Sequence, residues 1–100
     1  MIGIIVPAHN EEEKIAACLQ SLVIAASRPA LDGEEVALIV VLDACTDRTG
    51  PLARSLGATT IDVHARNVGL ARHEGARFSI AAGARWLAFT DADSVVAPDW

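Results

Sequence analysis

Positive charge is scarce in this sequence: eight Lys and Arg stand against thirteen Asp and Glu, a net charge of −5. A nucleic-acid backbone partner calls for a basic patch, and the balance argues against one. No long basic run is present to draw the chain to an anionic membrane surface. Cysteine is rare as well. Cys18 and Cys45 show neither C-x-x-C spacing nor a framework pattern, so they read as thiols in a reducing compartment. The N-terminal stretch Met1 to Val6 has no basic leader and is interrupted by Pro7, which argues against a signal peptide. No apolar run approaches the roughly 20 residues that span a bilayer. The expectation is a cytoplasmic domain with no membrane segment and no nucleic-acid partner.

Several ligand signatures are missing too. The first turn contains no G-x-G-x-x-G, so a Rossmann dinucleotide site lacks its close-approach glycines. No G-x-x-x-x-G-K-[ST] occurs, which excludes the P-loop. The Asp91 loop is no EF-hand, because Val95 and Val96 occupy the fifth ligand and turn-glycine positions. His9, His64 and His73 show no zinc spacing.

What is present is a strongly apolar chain, 52% hydrophobic over 100 residues. That suits one domain over 1–100 with a sheet covered on both faces. Four short apolar runs alternate with helical patterns, the signature of a parallel α/β sheet in βαβαβαβ order. Ile2 to Val6 is uniformly apolar, and Pro7 is expected to stop it. Asn10 and Glu13 form a candidate capping pair, with Glu11 and Glu12 in the positive first turn. Ile15, Cys18, Leu19, Leu22, Val23 and Ala26 keep helical spacing, and Pro29 ends that helix. A polar loop with Asp32-Gly33 leads to a second strand, Val36 to Leu42. Thr46 or Asp47 can cap a short helix reaching about Leu56, where Gly57 offers a left-handed stop. Thr59 to His64 has strand propensity. Val68 to Ala82 is a helix rich in Ala and Gly, closed by Gly83. Its small residues let it lie close to a sheet, although Gly75 weakens the helix by about 1 kcal/mol relative to Ala. Arg85 to Thr90 is the fourth strand. No internal repeat or linker divides the chain.

In open parallel sheets, ligands gather beyond the C-terminal strand ends, where strand order reverses. Pro7-Ala8-His9-Asn10-Glu11, Asp43-Ala44-Cys45-Thr46-Asp47, Arg66-Asn67 and Asp91-Ala92-Asp93 follow the four strands. Three of these segments carry acids at one end of the sheet. Two carboxylates one residue apart, Asp91 and Asp93, call for a compensating charge, and hard oxygen ligands suit Mg²⁺ or Mn²⁺. Such an acidic pocket with a cation fits a nucleoside diphosphate. Carboxylates would hold base and ribose donors, and the metal the phosphates.

These segments, with Val40-Val41-Leu42-Asp43-Ala44-Cys45-Thr46-Asp47-Arg48-Thr49 and Asn67-Val68-Gly69 with Ala71-Arg72, resemble the family 2 glycosyltransferases. Four motifs in order cover nearly the whole chain. The resemblance implies the GT-A fold, a nucleotide-binding α/β domain, and sugar transfer from a nucleotide-diphosphate sugar, usually with inversion. It implies that Pro7 and Glu11 shape and contact the nucleoside end, with Glu11 near base or ribose. Asp43 would accept a hydrogen bond from the base, and Arg72 would lie near the base or diphosphate. Asp91 would sit at ribose and metal, with Asp93 the direct metal ligand. UDP-, GDP- and dTDP-linked donors all remain open, as does the acceptor. His73 stands where the family often has Asn, and Ala44 where a polar residue is frequent.

Blander roles stand beside these. Glu12 can merely favour the helix dipole, and Asp47 reads as a helix cap rather than a ligand contact. His9 can line the pocket or pair with a neighbouring carboxylate. His64 and His73 read as surface or structural residues, and Cys18 as core. Nothing marks Cys45 as a nucleophile. Trp100 ends the chain as an exposed, unpaired aromatic. In this family the general base is an Asp or Glu from the second half of the domain, and only Ser94 to Trp100 follow Asp93. The catalytic residue is therefore unknown, and the chain is expected to be the donor-binding half of a longer enzyme. The fourth strand would be an exposed edge open to self-association. Two alternatives are a non-catalytic nucleotide-binding module and a haloacid-dehalogenase-like phosphatase, whose D-x-D-x-[TV] resembles Asp91 to Val95. That motif, however, follows the first strand of its fold.

Overall fold

A computed structural model describes residues 1–27, 34–98 and 100. The elements alternate as β1 (Ile2–Ala8), α1 (Ile15–Ala26), β2 (Val36–Asp43), α2 (Thr49–Ser55), β3 (Thr59–Val63), α3 (Val68–Ala81) and β4 (Trp86–Phe89). The four strands form one parallel sheet in the order β3-β2-β1-β4. The expected α/β class and element order are what the chain adopts. Strand order reverses between β1 and β4, with β4 and β3 at the edges.

Alternation along β1 and β2 explains why these strands read as unbroken apolar runs. Ile4, Val6, Ala8, Val40 and Leu42 pack on one face with Ile15, Cys18, Leu19 and Leu22 of α1 and Ala53 of α2. Ile5, Ile39 and Val41 point to the other face, where Ala71 of α3 covers them. Gly75 makes that close approach feasible. A Cβ there would fall 2.6 Å from Ile5 Cγ2 and 2.9 Å from Val41 Cγ2. The helix-propensity cost of Gly75 is thus offset by contact with the sheet.

Pro7 does not stop β1, which runs on to Ala8. The Ile5 carbonyl accepts the Thr90 N–H on the β4 side, so Pro7, two residues on, faces that side as well. Pairing with β4 ends at Ile5 opposite Phe89. The missing Pro7 N–H therefore falls where no ladder partner exists, and the sheet opens there.

Three local expectations at the helices change. Asn10 and Glu13 do not cap α1, which begins at Ile15 with Lys14 at the cap position and no acid in its first turn. The Glu11 carbonyl instead accepts the Lys14 and Ile15 N–H groups, making a turn ahead of the helix. Asn10 is drawn away because its Oδ1 accepts the Thr46 N–H at 2.8 Å. Val23 is exposed, and Ala25 takes the buried position instead. Gly57 and Gly83 do adopt left-handed φ values of 89° and 103° after α2 and α3. The stop at Pro29 and the Asp32-Gly33 loop lie outside the described residues.

Candidate functional site

The three loops beyond β1, β2 and β3 each turn through a non-glycine residue in the left-handed region: Asn10 at φ 51°, Ala44 at 53° and Arg66 at 48°. Such residues cost on the order of 1 kcal/mol each and persist only where surrounding bonds hold them. The bonds are visible. His9 Nδ1 donates to the Asp43 carbonyl at 2.7 Å. Cys45 Sγ donates to the Ala8 carbonyl at 3.3 Å, and Arg48 N–H donates to Glu12 Oε2 at 3.2 Å. The β1–α1 and β2–α2 loops are thus laced together.

Asp43, at the end of β2, is 95% shielded from solvent by its neighbours (5% exposed). Its Oδ1 accepts the Arg66 N–H at 2.8 Å and its Oδ2 the Asn67 N–H at 3.0 Å. Burial pushes its carboxyl upward, but the N–H groups of Arg66, Asn67 and Ala65, with nearby His9, outweigh it and hold the group below its ordinary value. The carboxylate clamps the β3–α3 loop and keeps acceptor capacity on both oxygens. Asn67 in turn caps α3, its Oδ1 accepting the Leu70 N–H at 3.0 Å.

At the end of β4, Ala92 is buried at 4% exposure and packs into the α1-side core. Asp91 and Asp93 flank it and are both exposed. Anchoring the middle residue leaves two carboxylates at the open end of the sheet. The Asp91 carbonyl accepts a long bond from Cys18 Sγ at 3.5 Å. Burial, with the charges of Asp93 and Asp91 adding to it, pushes the Cys18 thiol up to about 11. Cys18 is a core thiol, as expected.

A cleft of about 260 Å³ forms where the sheet opens between β1 and β4. It is lined by Pro7, Ala8, His9, Glu11, Asp43, Val68, Ala71, Asp91, Ala92 and Asp93. A neighbouring hollow of about 510 Å³ shares His9, Asp43 and Val68 with it and adds Asn10, Thr46, Arg66 and Asn67. Pro7, His9, Glu11, Asp43, Asp91 and Asp93, singled out along the sequence, thus share one cleft. Arg72 lies off the lining, its Nη2 3.2 Å from Asp91 Oδ1. His9 bonds a main-chain carbonyl rather than a carboxylate. Asp47 stands one residue ahead of the α2 cap position, which is Arg48 and carries no side-chain cap; its Oδ1 takes the Thr49 N–H at 2.9 Å. Sequence reasoning missed Val68 and Ala71 as lining residues, because small apolar side chains carry no chemical signature.

The sequence profile of "Glycosyl transferase family 2" matches residues 3–100. The chain belongs to glycosyltransferase family 2. The 4,4'-diaponeurosporenoate glycosyltransferase of Staphylococcus aureus is 45% identical over 62 residues, 62% of this chain and 15% of that protein. Among solved structures, S. aureus TarS residues 1–349 superposes at a TM-score of 0.80 with 22% identity, over 98% of this chain and 29% of that one. The mannosyltransferase PcManGT from Pyrobaculum calidifontis, in complex with GDP-Man and Mn²⁺, gives 0.78 with 23% identity and the same coverage. Both likenesses establish the fold. Glucosyl-3-phosphoglycerate synthase from Mycobacterium tuberculosis, in complex with Mn²⁺, UDP and glucosyl-3-phosphoglycerate, gives 0.65 with 27% identity, over 98% of this chain and 36% of that one. The chain spans 15% of the curated relative's length. Among the described residues no helix is long and apolar enough to cross a membrane.

Proposed function

We propose that residues 1–100 are the donor-binding half of a cytoplasmic, inverting glycosyltransferase that moves a sugar from a nucleotide-diphosphate sugar to an acceptor hydroxyl. One observation carries this reading: Glu11, Asp43, Asp91 and Asp93 converge on a single cleft at the reversal of strand order. Structures similar to this chain hold UDP, or GDP-Man with Mn²⁺, or UDP with Mn²⁺, which supports a nucleotide donor.

The acids fit a divalent cation. Mg²⁺ keeps several waters and is held by one or two carboxylates plus substrate phosphates, and Mn²⁺ favours the same oxygen donors. Asp93 and Asp91 supply two such carboxylates on either side of the anchored Ala92. Among the described residues no group of three or more His, Cys, Asp or Glu is placed to hold a metal, so donor phosphates and water would complete the shell. When bound, Mn²⁺ or Mg²⁺ neutralises charge on the departing diphosphate.

The chain's own groups orient the donor. Asp43 offers free acceptor capacity to a base N–H, and Glu11 receives a ribose or base donor. Pro7 and His9 form the wall between them, and Arg72 stands ready for the diphosphate. The general base comes from the acceptor side of the family's domain, so sugar transfer at ordinary enzyme rates by this chain alone would overturn the division of labour. The β4 edge, with Trp86 65% exposed, is the surface through which copies of the chain would associate.

A melting-temperature screen with UDP, GDP and dTDP, with and without Mn²⁺, tests the reading. A nucleotide at 100 times its Kd stabilises by about 2.7 kcal/mol. Asp93→Asn should abolish the Mn²⁺-dependent part. Equal stabilisation of wild type and variant would sink the metal assignment, and no shift with any nucleotide would sink the donor site.

A further inference from the structure

Thr49, the first residue of α2, is completely buried, a position where an unbonded hydroxyl costs stability. Its Oγ1 accepts the Glu11 N–H at 2.9 Å and donates to Asp47 Oδ1 at 2.5 Å. Asp47 Oδ2 accepts the N–H of the next residue, Glu12, at 3.2 Å. Two consecutive N–H groups of the β1–α1 loop therefore hang from one Asp–Thr pair in the β2–α2 loop.

Glu11 is held from its other side as well. Its carbonyl accepts the Lys14 and Ile15 N–H groups at 3.0 and 2.8 Å. With the main chain fixed at both ends, the side chain is what remains adjustable, and it lines the cleft with Pro7, His9 and Asp91. Aim matters in so acidic a cleft. A carboxylate turned toward Asp91 or a diphosphate is repelled, whereas one turned to a ribose hydroxyl accepts a charge-assisted hydrogen bond.

We infer that Thr49 and Asp47 are positioning residues for donor binding, acting through the Glu11 main chain to aim its carboxylate at the nucleoside. This rests on the nucleotide reading above. The two loops keep other ties, Asn10 Oδ1 to Thr46 N–H and Glu12 Oε2 to Arg48 N–H. Loss of the Thr49 hydroxyl thus removes the Glu11 anchor without unlacing the loops.

The test is a double-mutant cycle with Glu11, read as affinity for UDP, GDP and dTDP with Mn²⁺ by calorimetry well below the melting temperature. Thr49→Val keeps the shape and drops the hydroxyl, and should weaken the preferred nucleotide about tenfold, the scale of one lost charge-linked hydrogen bond. Thr49→Ser should restore affinity to within about threefold, because it returns the hydroxyl. In a Glu11→Ala background, Thr49→Val should weaken binding no further. An equal loss in both backgrounds overturns the proposal, as does unchanged affinity with a lowered melting temperature. If Thr49→Val does not fold, Asp47→Asn is carried through the same cycle and decides by the same criteria. A wild-type chain that binds none of UDP, GDP and dTDP overturns the donor site and this proposal together, whereas binding without coupling overturns this proposal alone.

Discussion

Arg72 Nη2 lies 3.2 Å from Asp91 Oδ1, joining α3 to the end of β4 at a residue that lines the cleft. Both side chains are substantially exposed, 44% and 61%, so the pair adds at most about 1 kcal/mol to stability. Its consequence is local. The guanidinium compensates one of the two carboxylates flanking Ala92, and in the donor site proposed above it would compete with a cation for Asp91. Arg72→Ala should therefore tighten Mn²⁺ binding in the absence of nucleotide by about three- to tenfold. It should also weaken UDP or GDP binding in the presence of Mn²⁺, because the partner proposed for the diphosphate is lost. Titration of Mn²⁺ by electron paramagnetic resonance reads the first effect and calorimetry the second. Changes of the same sign in both would refute the competition.

Asp43 serves two neighbours at once, and Asn is a poor substitute. A carboxamide can accept one of the Arg66 and Asn67 N–H groups but turns its own NH₂ toward the other. Asp43→Asn should cost about 1–3 kcal/mol, the scale of a buried donor left unsatisfied. It should loosen the β3–α3 loop, visible as faster amide exchange at Arg66 and Asn67. Urea denaturation measures the first effect. A variant as stable as wild type would show that the clamp contributes nothing.

Acid should destabilise the fold through two aspartates. Asp43 is buried, yet main-chain donors hold its carboxyl below the ordinary value. Burial likewise pushes Asp47 upward, but the Thr49 hydroxyl and amide and the Glu12 N–H outweigh it and depress it. A folded value below the unfolded one gives stability that is fully present above the unfolded value, about 3.9, and lost as pH falls through the folded value. Urea midpoints should thus hold steady from about pH 6 to about pH 4 on account of these groups, then fall. Asp47→Asn should flatten that fall. An unchanged acid limb in the variant would count against the assignment.

Along this chain, the sequence revealed whatever depends on polarity pattern and hid whatever depends on contacts between distant loops. Ile4, Ile5 and Val6 had to lie in a strand covered on both faces, and Asp91 and Asp93 had to sit at a strand end. Both follow from spacing alone. The capping role assigned to Asn10 failed because Thr46, thirty-six residues away, competes for the same side chain. Pro7 looked like a terminator because the early end of β4 is a property of the pairing, not of β1. Thr49 lies within the Asp43 motif, but its tie to Glu11 spans thirty-eight residues, a relation no local pattern encodes. Gly75 was legible as a small residue and illegible as a contact until α3 lay on Ile5 and Val41.

Gly75 and Ser79 sit one turn apart on the sheet-facing side of α3, and replacing each by Ala should have opposite effects. Helix propensity alone favours Ala over Gly by about 1 kcal/mol. At Gly75, however, the new methyl would meet Ile5 Cγ2 at 2.6 Å and Val41 Cγ2 at 2.9 Å, so both buried side chains would have to shift. Gly75→Ala should therefore destabilise by about 1–3 kcal/mol, the range for overpacking. Ser79 is fully buried, and its Oγ has no hydrogen-bond partner among the described residues. Ser79→Ala removes an unsatisfied hydroxyl and improves helix propensity, so stability should hold or rise by up to about 1 kcal/mol. Urea denaturation of both variants, compared at equal m-value, decides the matter. A stabilised Gly75→Ala would mean that α3 stands further from the sheet than these contacts require. A Ser79→Ala variant losing more than about 1 kcal/mol would mean that the hydroxyl has a partner, such as a buried water held against Gly3.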